Sequence, residues 1–168
     1  MRTARAFAGV AMTLAMQTTM DRFLAGRTIA IDLVLVSIVY VALTRGPVGG
    51  LLTGCFAGLI QDALTSGVIG IGGIAKTIVG FLAGAIGQQF IITAAVPRMV
   101  MFVAATALHA AIFMGLYQAI GRGSFQASVA TVGVQALANA VVGMLAFIVI
   151  EGLPVAVERR RLARRPRL

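Results

Sequence analysis

The chain has 168 residues, of which 60% are hydrophobic and 11% charged, and its mean hydropathy is +1.00. A soluble domain of that length needs far more polar surface, so the composition excludes a water-soluble globular protein and selects the bilayer as solvent. The net charge of +9 raises nucleic acid as a partner, but the densest basic run is a tail after the last apolar segment, next to anionic lipid headgroups.

A spanning helix needs about 20 mostly apolar residues. Residues 99–121 and 123–150 carry no charged side chain, and apolar segments recur along the whole chain, so a single cleavable signal peptide does not account for them. Six helices are predicted. The first, 4–20, follows Arg2 and Arg5 and reads as an uncleaved span. "DRFLAGR" (21–27) separates it from the second, 28–44. "RGP" (45–47) leads into the third, 47–63, with Pro47 suited to an opening turn where its missing N–H costs no bond. "DALTSGVIG" (62–70) turns the chain into the fourth, 70–90; "AAVPR" (94–98) sets Pro97 at the start of the fifth, 97–120; "GRGSFQ" (121–126) precedes the sixth, 128–152. The third and fourth are short and glycine-rich, yet helical, because lipid-exposed backbone cannot be left unpaired.

The expected organisation is therefore all-α: one polytopic transmembrane domain over 1–157 and a basic cytoplasmic tail over 158–168. Six spans put both termini on one side. That side holds Arg2, Arg5, Arg45, Arg98 and the six tail arginines, against Arg22, Arg27 and Arg122 opposite. Ten against three places both termini in the cytoplasm. Arg159, Arg160, Arg161, Arg164 and Arg165 then anchor the tail to anionic lipid and fix the topology.

In "GLLTGCFAGLIQDAL" (50–64) the most helix-averse residue falls on a strict step of four: Gly46, Gly50, Gly54 and Gly58, continued by Asp62. Hydrophobicity does not drive helix onto helix in lipid. Close backbone approach does, and small residues four apart permit it. The fourth span repeats the step with Gly72, Lys76, Gly80, Gly84 and Gln88. These two spans should be antiparallel neighbours, with Gly46, Gly50, Gly54, Gly58, Gly80 and Gly84 as packing or partner-interface positions. Asp62 and Lys76 lie towards the same end, so they are expected to face each other and set the register. A lone charge at mid-membrane costs at least about 2.5–3.5 kcal/mol, which gives Lys76 a reason to find a partner.

Other polar residues have local explanations. Asp32 opens the second span, where a helix N-terminus favours an anion. Gln135, Asn139 and Gly143 share a four-residue step whose amides can bond across helices. His109, the single histidine, reads as a hydrogen-bonding residue of the bundle, and Cys55 as a small packing residue. No spacing suits a metal, a phosphate loop or a nucleophile with its base, so neither an enzyme nor a cofactor is expected.

The stretch 32–84 resembles the rod shape-determining MreD family. The carriers are Asp32-Leu33 opening a span, Gly46-Pro47 before the glycine-spaced span, Gly58-Leu59 with Asp62 at its end, then Gly70 with Lys76 and Gly80 with Gly84. Ile31 stands where members often have proline. The resemblance implies a bacterial inner-membrane component of the cell-elongation machinery with no enzymatic activity. It implies work beside MreC, the actin-like MreB, a RodA-type glycosyltransferase and a class B penicillin-binding protein. It also implies a fold similar to the substrate-binding (S) subunits of energy-coupling-factor transporters. The expected function is a scaffold that binds MreC and supports peptidoglycan synthesis. The alternative from another class is a vitamin-capture subunit of such a transporter, for which Ala4 with Ala8 and Ala11 with Ala15 supply small-residue steps. Against it, a pocket would have to be built without tryptophan and with two tyrosines, Tyr40 and Tyr117.

Overall fold

The computed structural model describes residues 2–23, 31–65, 67–90, 92, 94–121 and 128–163, with side chains described for 8–20, 31–65, 67–90, 92, 94–121 and 128–150. The described residues form five helices: α1 (Arg2–Phe23), α2 (Leu33–Leu64), α3 (Ile71–Gln89), α4 (Ala95–Ala119) and α5 (Val129–Ala163). Four stretches among them are long and apolar enough to cross a membrane, namely Leu33–Leu64, Ile71–Gln89, Ala95–Ala119 and Val129–Ile150.

The six separate helices expected from sequence are corrected to five elements, because 28–44 and 47–63 belong to one element, α2, bent at Gly46. Gly46 has φ 80 and ψ −173, a conformation essentially closed to any residue with a Cβ. Pro47 follows with its φ already set for the next helical turn. The bend is a reversal rather than a kink. Eight residues along a straight helix span about 12 Å, yet a Cβ added at Gly50 would stand 2.7 Å from the Ala42 Cβ. Val34 and Ile38 of the first arm likewise cluster with Ala57 of the second.

The second arm of α2 lies antiparallel to α3, and each step of four along one is matched by a step back along the other. A Cβ at Gly50 would overlap the Gly80 carbonyl, one at Gly54 the Lys76 carbonyl, and one at Gly58 would come within 2.7 Å of the Gly73 Cα. At the bend, Gly84 would meet the Pro47 nitrogen and the Gly46 carbonyl carbon at 2.5–2.6 Å. These contacts are backbone on backbone, so no rotamer change relieves a substitution. The expected antiparallel pairing is therefore found, and the glycine ridges lie inside the chain's own bundle. A partner helix, which the sequence reading let share them, finds them covered.

The remaining helices close around this pair. Leu35, Val36 and Val39 of α2, Val79 of α3, Phe102 and Ala105 of α4, and Ala140 and Phe147 of α5 make the main core. α4 and α5 run antiparallel, with Gly143 admitting the Phe102 ring so closely that any side chain there would overlap it. Phe147 stacks edge-on against Phe102 at 6.2 Å, lies 4.6 Å from Tyr40, and carries the Arg98 guanidinium 4.1 Å above its face. Leu14 of α1 joins Val34, Ile38 and Ala57. The last helix runs past the expected end at 152 to Ala163. Arg159, Arg160 and Arg161 fall on its backbone, whereas Arg164, Arg165, Arg27 and Arg122 lie outside the described residues.

Not every glycine packs. Gly133 of α5 has open space around it. Gly54→Val is expected to cost about 1–3 kcal/mol from overpacking that the backbone cannot absorb, whereas Gly133→Ala should be neutral or stabilise by up to about 1 kcal/mol. Thermal unfolding of the two purified variants in mild detergent checks this. A wild-type midpoint for Gly54→Val would contradict the backbone contact.

Candidate functional site

Six polar residues of the spans converge on one buried node that draws a side chain from each of the five helices or its cap. Its origin is the start of α2. The first N–H groups of a helix have no partner within it. Here they are taken one by one: Asp32 N donates to Asn139 Oδ1 at 2.9 Å, Leu33 N to Gln17 Oε1 at 3.0 Å, and Leu35 N to Asp32 Oδ1 at 2.8 Å. Asp32 is thus the N-cap of α2, as its position in the sequence implies, while Gln17 of α1 and Asn139 of α5 extend the cap from outside.

The second carboxylate oxygen of Asp32 reaches across the bundle. Lys76 Nζ lies 2.9 Å from Asp32 Oδ2, with both side chains under a tenth exposed. Lys76 Nζ also donates to His109 Nε2 at 3.3 Å. An ammonium has no lone pair, so Nε2 must accept, which leaves the ring proton of His109 on Nδ1. Asn139 Nδ2 donates to Thr106 Oγ1 at 3.1 Å, and that hydroxyl donates to the Phe102 carbonyl at 2.8 Å. From His109 the face of α4 continues outward as an aromatic row, with Phe113 5.7 Å from His109 and Tyr117 4.9 Å from Phe113. The Tyr117 hydroxyl receives the Val68 N–H at 3.4 Å, tying this row to the turn before α3.

Asp62 is not part of the node, and the expected Asp62–Lys76 pair is corrected. Asp62 Oδ2 accepts from Gly70 N at 2.8 Å and Gly73 N at 3.0 Å. It therefore caps α3, whose own N-cap residue, Gly70, has no side chain to do so. A Cβ at Gly72 would overlap Asp62 Oδ1, so glycine there is what lets the carboxylate seat. The capped turn and the Gly54–Lys76 backbone contact together aim Lys76 away from Asp62 and towards the first arm of α2.

Of the residues singled out from sequence, the structure gathers Asp32, Lys76 and Asn139, with His109, and sets Asp62 apart. Gln17 and Thr106 were missed. The signal for Gln17 was an amide inside an apolar span, and for Thr106 a hydroxyl three residues before His109. Gln135 is half-buried and Gly143 buried, the latter against Phe102 rather than a cavity.

These features define a polytopic α-helical membrane protein whose buried intramembrane charges are met by other groups of the chain. The family model for rod shape-determining protein MreD matches residues 5–154, and the chain belongs to that family. No curated protein and no solved structure matches the chain, so a likeness to the S subunits of energy-coupling-factor transporters rests on the family resemblance alone.

Removing one member of a buried ion pair costs about 3–5 kcal/mol, because the other charge is left uncompensated. Asp32→Ala and Lys76→Ala should each lose stability on that scale, and the double variant much less than the sum of the two. Asp62→Ala combined with Lys76→Ala should instead be additive within about 0.5 kcal/mol. Unfolding free energies of the five variants decide between the two pairings.

Proposed function

We propose that this protein is a non-enzymatic scaffold of the bacterial cell-elongation complex, which binds MreC through its apolar helix faces and so supports peptidoglycan synthesis and rod shape. Membership of the MreD family carries the reading as far as shape determination. The observation that favours a scaffold is the closure of the node: Asp32, Lys76, Asn139, Thr106 and Gln17 are all buried and bonded to one another or to backbone. Such an arrangement fixes helix positions and so presents preformed surfaces.

Those surfaces are broad. Ile74, Ile78 and Phe81 of α3 and Leu137, Val141, Leu145 and Ile148 of α5 are 40–63% exposed. In lipid a partner's single transmembrane helix gains by fitting such a surface rather than by escaping water. A RodA-type glycosyltransferase and a class B penicillin-binding protein join directly or through MreC. The protein sits in the inner membrane with both termini in the cytoplasm. Supporting this orientation, the reversal at Gly46 gives α2 two arms, so that with α1 as a further span the passes number six and the arginine bias keeps its direction. The tail arginines anchor to anionic lipid.

Photo-crosslinking amino acids at Phe81, Leu108 and Leu145, one on each of three outward faces, test the reading in cells. Adducts with MreC are expected from one face, together with loss of rod shape when that face is made bulky. Adducts from none of the three, or a small molecule retained by the purified protein in place of wall-synthesis proteins, would overturn it.

A further inference from the structure

α1 leaves a slot open against the second arm of α2. The slot has a volume of about 150 Å³ and is lined by Val10, Leu14, Thr53, Phe56, Ala57 and, at one end, Arg45. Its floor and rim differ sharply: Ala57 is 1% exposed and Phe56 60%. An apolar groove of this size, open along one side, holds a stretch of hydrocarbon chain, the rest of which lies in the surrounding bilayer. A transmembrane helix, about 10–12 Å across with its side chains, does not enter it. An extended hydrocarbon chain does.

The slot has direction. Gln17 and Leu14 of α1 lie at the Asp32 end of the first arm, so the start of α1, with Arg2 and Arg5 in its first turns, lies at the Gly46 end. Arg45 stands at that same end and is exposed. Hydrocarbon lining cannot select one lipid over another, since every lipid offers the same chain. A guanidinium at the mouth can, because it favours an anionic headgroup and forms paired hydrogen bonds to phosphate.

We propose that the slot between α1 and the second arm of α2 is a binding site for an anionic phospholipid, with one acyl chain between Leu14 and Phe56 and the headgroup phosphate on Arg45. The site as proposed uses Arg45 and none of the tail arginines.

The test uses the delipidated full chain with equimolar phosphatidylglycerol and phosphatidylcholine of identical acyl chains, and counts bound lipids by native mass spectrometry. Wild type should enrich phosphatidylglycerol about fivefold, the effect of one basic side chain near an anionic surface. Arg45→Gln should bring the ratio close to one. Ala11→Phe, a change at the exposed edge of the slot, should reduce bound lipid of both kinds, whereas Leu108→Phe on α4 should leave binding as in wild type. Free glycerol phosphate should displace nothing. The proposal falls if Arg45→Gln keeps the enrichment, if Ala11→Phe binds as wild type does, if glycerol phosphate competes, or if replacing Arg164 and Arg165 by Gln abolishes the preference. It falls equally if a photo-crosslinker at Phe56 captures protein rather than lipid.

Discussion

Lys76 can keep its charge inside an apolar bundle because a carboxylate stands 2.9 Å away, and that carboxylate is itself held by the first turn of another helix. An isolated ammonium in such surroundings is costly enough to reorganise whatever encloses it. Here the demand is met by geometry set elsewhere. The reversal at Gly46 returns α2 on itself, so that Asp32, the second arm and α3 lie side by side. The glycine steps then let α3 come close enough for the Lys76 side chain to reach Asp32, and Asn139 and Gln17 hold the start of α2 in place. Loosening any one of these three devices would leave a charge or an N–H unpartnered in lipid.

The glycines and the ion pair divide the work between them. Backbone contact between the second arm and α3 supplies dispersion over a long seam but discriminates poorly among registers, since a ridge repeating every four residues fits itself again after one step. The node supplies the discrimination. Only one register brings Lys76 level with Asp32 and His109 while Asp62 receives the N–H groups of Gly70 and Gly73. Two carboxylates thus act at the starts of two helices, one as cap and counterion together, the other as cap alone. A buried amide, Asn139, ties this register to the α4–α5 pair through Thr106.

Much of this was legible in the sequence. Apolar run lengths and the glycine and proline punctuation placed every helix boundary within a few residues, apart from the start of the second span, where the helix opens at Leu33 rather than 28, and the far end of α5. The antiparallel pairing of the two glycine ridges followed from their spacing. The partner of Lys76 did not. Proximity along the chain favours Asp62, and the sequence states only that two aspartates inside the predicted spans and one lysine are available. Choosing between them requires knowing that the chain doubles back tightly enough at Gly46 to bring Asp32 level with Lys76. A Gly-Pro pair marks a break without giving its angle. Gln17 and Thr106 were hidden for a related reason, since one polar side chain in an apolar run says nothing of which neighbour it will meet.

The order in which the chain is made gives the hairpin of α2 a further meaning. Its first arm, residues 33–45, is about 20 Å long as a helix, too short to cross the hydrocarbon unaided, and it begins with an acid whose counterion is synthesised only after both arms have emerged. The two arms contact each other directly, whereas the compensating charge comes from α3, later in the chain. Any version of the chain that ended before Lys76 would keep the hairpin's own contacts and lack the counterion of Asp32.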